Sequence, residues 1–129
     1  MAKFTRRSML VALSAGAVVL GNTFRALAQQ QDTPGVQRGE VKKFNSMIPG
    51  VANITVHNQT YQPGAKTSRA MPHTMVCECT AGVLEVSQDS MTTTMKTSGM
   101  WTCHKGMVET VENKGTIPAV MRVIQLLPA

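Results

Sequence analysis

From residue 51 onward the chain never runs far without a turn signal, and that spacing decides what it can fold into. Tyr61-Gln62-Pro63-Gly64-Ala65, Gly82, residues 87–90, Ser98-Gly99, Lys105-Gly106 and Asn113-Lys114-Gly115 punctuate it. Proline presets φ and glycine tolerates positive φ, so both mark turns. The segments between them are short and rich in Val, Ile, Thr and Met, and the β-branched types among these fit a pleated surface. Strands are predicted over 51–56, 69–80, 83–86, 91–97, 107–112 and 119–127. A short first strand is placed within 40–46, and Ile48-Pro49-Gly50 breaks the chain after it. No long helical period appears after residue 28. Short strands with regular turns point to a sandwich or barrel, so the predicted class is all-β and antiparallel.

The length of 129 residues suits one domain. The formal charge of +6 is unevenly placed. Residues 1–28 hold Lys3, Arg6, Arg7 and Arg25 and no acid, whereas the remainder has nine basic and seven acidic residues. With a net +2, no basic cluster and few aromatics, that remainder is not built for nucleic acid. Residues 1–28 read as an export signal. A basic start precedes an uncharged apolar run over 9–21, and Ala26-Leu27-Ala28 supplies a small-x-small cleavage site. The run is too short for a membrane anchor, so no stable anchor remains after cleavage. Residues 29–50 read as a polar linker holding the short first strand, and 51–129 as the folded barrel. Thr5-Arg6-Arg7-Ser8-Met9-Leu10 resembles the twin-arginine export signal, with Met9 in place of its usual Phe and Val11 where Lys is frequent. The alternative is an ordinary secretory signal in which two arginines fall together. The resemblance implies a bacterial protein, periplasmic or secreted, exported already folded and often with its cofactor loaded.

The chemistry concentrates in Met71-Pro72-His73-Thr74-Met75-Val76-Cys77-Glu78-Cys79. On an extended chain, residues two apart share a face. Met71, His73, Met75, Cys77 and Cys79 would then point one way, and Pro72, Thr74, Val76 and Glu78 the other. Thioether, imidazole and thiolate are ligands for soft or borderline metals. Met and Cys are also ordinary core fillers, and the two readings stand side by side.

Tyr61-x-Pro63-Gly64-Ala65, then His73, then Gly82-Val83-Leu84-Glu85-Val86 resembles the first conserved motif of the cupins. Gly106, Glu109, Asn113, Gly115 and Pro118-Ala119 resemble the second. The similarity covers about residues 51–128. It implies an antiparallel jelly-roll β-barrel whose inward side chains line a pocket, often around one divalent metal. The family's metal set is two His and a Glu from the first motif and a His from the second. Here His73 matches the second His, while Met71 stands for the first, Cys77 for the Glu, and Glu109 for the last His. Glu78 is one place late and would face outward. Two readings follow. In one, Met71, His73, Cys77 and Glu109 form a rebuilt site for one ion, copper before zinc or iron. In the other, the site is lost and a Met-lined cavity binds a small molecule, or nothing. Homodimerisation through edge strands is a further expectation from the resemblance, with a structural or partner role as its functional counterpart.

Glu109 and His104 are the candidate general bases, and no substrate-orienting constellation is legible around them. His104 sits beside a turn and His57 late in an early strand, where surface positions are expected. Trp101 is placed at the pocket mouth or as a cap on the barrel. Three cysteines are an odd count for an exported chain. Cys77 and Cys79 would lie about 7 Å apart on a strand, too far for an unstrained bridge. Cys103 is able to pair with either, or all three stay buried and reduced.

Overall fold

A computed structural model describes residues 33–129. The export signal read over 1–28 lies outside the described residues. Among the described residues the chain forms ten strands and no helix: β1 (Val36–Arg38), β2 (Lys42–Asn45), β3 (Val51–Tyr61), β4 (Lys66–Ala70), β5 (Thr74–Ala81), β6 (Leu84–Gln88), β7 (Met91–Met95), β8 (Met100–Cys103), β9 (Val108–Glu112) and β10 (Ala119–Pro128).

One sheet runs β1-β3-β10-β5-β8, with β2 also paired to β3, and the other runs β4-β9-β6-β7. All pairings are antiparallel. From β3 on, the chain crosses between sheets at every connection except the β6–β7 hairpin. Two sheets wound this way form a jelly roll, as the turn spacing and the resemblance both predict.

The structure departs from the sequence reading at four places, the first being β3, which runs on to Tyr61 instead of stopping at Val56. The segment predicted as one strand over 69–80 is two, β4 and β5, in different sheets. Pro72 lacks the N–H that a ladder needs, and the corner Met71-Pro72-His73 turns there. Its backbone bonds instead to the β8–β9 turn, through Met71 N to Met107 O at 2.8 Å and Gly106 N to Met71 O at 2.8 Å. The short strand placed within 40–46 is β2, but the polar stretch before it holds a further strand, β1, and both pair with β3. Strand β8, which no periodicity marked, pairs with β5.

Alternation buries one face of each inner strand. Met75, Cys77 and Cys79 of β5 point inward, with Leu84 and Val86 of β6, Val111 of β9, and Met121 and Val123 of β10. Gly82 lets the β5–β6 corner close on the start of β10. Its φ is +71°, and a Cβ there would fall 2.8 Å from Pro118 O and 2.9 Å from Ala119 Cα, so no side chain fits. Strand β3 breaks the apolar-in rule. Ile54 and Val56 are only half-buried, while Thr55, His57, Gln59 and Tyr61 are buried. One wall of the interior is therefore polar by construction.

Candidate functional site

That polar wall borders a cavity of about 430 Å³ between the sheets. On one side stand His57, Gln59 and Tyr61 of β3, with Arg38 of β1 and Gln125 of β10. Facing them are Thr67 and Arg69 of β4 and Glu109 of β9. Met71, His73 and Met75, at and after the β4–β5 corner, close one end.

The register explains how these side chains meet. Arg38 lies directly across from Gln59, and Gln125 across from both Thr55 and Met75. Arg69 lies directly across from Glu109, and opposed residues on one face of an antiparallel pair are side-chain neighbours. Thr55 donates to Gln125 Oε1 at 3.1 Å, and the Tyr61 hydroxyl is 2.8 Å from Thr67 Oγ1. Burial pushes the Tyr61 phenol up to about 12, against the weaker pull of its Thr67 hydrogen bond, so it stays protonated.

Glu109 is buried and held from the core side. Its Oε2 accepts from Gln88 Nε2 at 2.9 Å, Trp101 Nε1 at 3.1 Å and Cys103 Sγ at 2.7 Å. Trp101 is thus neither a mouth residue nor a cap, but a buried donor to this carboxylate.

Of the residues predicted for a site, Met71, His73 and Glu109 line the cavity. Cys77 is buried in the core beside Cys103 rather than on the cavity wall. The Cys103 hydrogen bond and burial together push its thiol up, toward the protonated form. His104 is exposed, with Nδ1 against Lys105 O at 2.9 Å, and lies apart from the cavity. Glu78 faces outward as expected, 3.3 Å from Arg122. All three cysteines are buried free thiols.

His57 was expected at the surface and is instead 5 % exposed within the polar wall. Its Nδ1 is the one buried side-chain nitrogen or oxygen among the described residues that lacks a hydrogen-bond partner. Burial first, then the Arg38 charge, hold the ring at about 4, against an opposing hydrogen bond to Gln59. The folded ring therefore titrates below its unfolded value of 6.5. Between those two values the unfolded chain binds the proton that the fold refuses. Stability contributed by the neutral ring is full above pH 6.5 and is lost as pH falls toward 4. A loss of roughly 2–3 kcal/mol over that range is expected. His57→Phe should flatten this part of the urea-unfolding pH profile. An unchanged profile in the variant rules the ring out as its source.

The residues present do not suit a cupin-type metal. Glu109 faces the Arg69 guanidinium across the strand pair, Cys77 sits off the cavity, and Glu109 Oε2 already serves three donors. Among the described residues no three His, Cys, Asp or Glu side chains are grouped to hold a metal ion.

Solved structures share this architecture at low sequence identity. The cupin domain of Schizosaccharomyces pombe Cnp3 is similar with TM-score 0.57 and 15 % identity over 74 % of this chain. This chain spans 63 % of that domain's length. The cupin domain of an XRE family transcriptional regulator from Enterobacter cloacae is similar with TM-score 0.58 and 15 % identity, covering 74 % of this chain and 99 % of that one. KdgF from Halomonas sp. is similar with TM-score 0.57 and 12 % identity, covering 76 % and 88 %. No protein-family model and no curated protein matches the sequence. With its strand order and these likenesses together, the chain has the cupin fold.

Proposed function

We propose that this is an exported cupin-fold protein whose interior cavity binds a small organic molecule directly through side chains, without a metal ion between them. The observation that carries the reading is the inward face of β3. Thr55, His57, Gln59 and Tyr61 are buried there, where apolar residues would stabilise a plain core better. A cavity of about 430 Å³ is in the ordinary range for a ligand pocket, and convergent polar groups on an apolar lining are its usual composition. The second reading is a metal site on Met71, His73 and Glu109, favoured by the fact that all three line one cavity. Ligand-observed NMR with a small-molecule library, before and after chelator treatment, separates the two. Hits that survive the chelator and vanish when Gln125→Trp fills the cavity support direct binding. Hits that need added metal, or none at all, overturn it.

Export is supported by the arginine pair, the apolar run and the Ala26-Leu27-Ala28 site. The double change Arg6→Lys with Arg7→Lys is expected to leave the full-length precursor in the cytoplasm. Arrival of the mature protein in the periplasm of cells lacking the twin-arginine translocase sinks that route.

A further inference from the structure

We infer that the cavity takes a small organic acid that carries a hydroxyl or another hydrogen-bond donor near its carboxylate. The acid group meets the guanidinium side of the cavity and the donor meets His57. This rests on the direct-binding reading above and names the ligand class for the same cavity.

Charge selects the acid. Two guanidinium groups, Arg38 and Arg69, line the cavity against one carboxylate, Glu109. One oxygen of that carboxylate is already turned to Gln88, Trp101 and Cys103. The wall is therefore net positive, which repels a cation and attracts an anion. Guanidinium also matches a carboxylate in a planar, two-bonded geometry.

Histidine chemistry selects the donor. Nδ1 has no partner, and we place the neutral ring's proton on Nε2. In a neutral imidazole the remaining nitrogen is an acceptor. Leaving it unpaired costs about 1–3 kcal/mol, which a ligand hydroxyl or N–H would recover. Nδ1 is closed to water as the ring stands, and a turn about the soft χ2 bond opens it to the cavity the ring already lines.

Register sets the spacing. Arg38 lies across from Gln59, and His57 is two residues along the same face. The two anchor points are therefore diagonal neighbours, about 7–8 Å apart at their backbones. Met71 and Met75 offer polarizable surface for the carbon skeleton. The volume is far larger than an inorganic anion needs.

The test is isothermal titration of the chelator-treated mature protein with hydroxy acids from glycolate to mandelate and citrate. Each is paired with its amide and its O-methyl ether. At least one acid is expected to bind about tenfold tighter than its amide, and Arg38→Gln should abolish that preference. The matching ether should also bind about tenfold more weakly than its parent acid, and His57→Phe should remove that difference. Arg38 is exposed, so Arg38→Gln keeps the test usable even where His57→Phe fails to fold. If amides or ethers bind as well as the acids, the ligand class is wrong while direct binding stands. If nothing in the series binds and the library also yields no hits, both fail.

Discussion

Replacing Glu109 with leucine is expected to lower the unfolding free energy by about 3–5 kcal/mol. Leucine fills most of the space but accepts nothing. Gln88 Nε2, Trp101 Nε1 and Cys103 Sγ would all lose Oε2 at once. Gln88 keeps a second bond to Thr102 O at 2.9 Å, so its loss is partial. The indole N–H gives its hydrogen to Oε2 at 3.1 Å, and Trp101 is the chain's single tryptophan. Its emission therefore reports the change directly, alongside urea denaturation. Glu109→Gln keeps one carbonyl oxygen as acceptor and should cost roughly half as much. A leucine variant within about 1 kcal/mol of the parent means the carboxylate is not what holds this part of the interior.

The second large effect belongs to Asn113, at 1 % exposure. Its Nδ2 donates to Tyr61 O at 2.9 Å and Ile117 O at 2.8 Å, and its Oδ1 accepts from Gly115 N at 2.9 Å. One side chain thus joins the end of β3, the Asn113–Pro118 loop and the turn at Gly115. Its backbone also bonds Gly64 N and Ala65 O, at 2.7 and 3.0 Å. Asn113→Ala strands two carbonyls and an N–H, with an expected loss of about 3–4 kcal/mol. Asn113→Asp keeps the acceptor for Gly115 but turns negative oxygens on both carbonyls, so it should be no milder than alanine. If aspartate proves neutral, the two carbonyl contacts carry little of the stability.

The barrel was legible in the sequence because turn chemistry is local. Gly64, Gly82 and Gly106 all adopt positive φ where the reading placed turns. The strand split at Pro72 was harder to see, since alternation runs through 69–80 without a break and only one missing N–H marks the corner. That corner, and the tight packing of Cys77 against Cys103, separates the predicted ligand set. The polar wall was hidden for a different reason. Alternation in β3 shows two faces, and ordinary burial statistics assign the one with Ile54 and Val56 to the inside. The opposite face is the one turned to β4 and β9 across the cavity, a long-range placement that no local pattern contains. The sequence reading sets His57 late in that strand, beside Asn58, and so at the surface. A usable signal was the even spacing of Thr55, His57, Gln59 and Tyr61, four hydrogen-bonding side chains on one face.

Strand β3 has one flank on β10 and the other shared by two short partners, with Lys42–Asn45 against its first half and Val36–Arg38 against its second. A chain trimmed to begin at Val51 would uncover that flank along an eleven-residue strand. Unpaired N–H and C=O groups on a long strand recruit strands from other molecules. The arm replaces that long open border with a short one carrying Lys42 and Lys43, whose charges oppose stacking of one copy on the next. Removal of residues 33–50 is accordingly expected to raise the barrel's tendency to form β-rich aggregates.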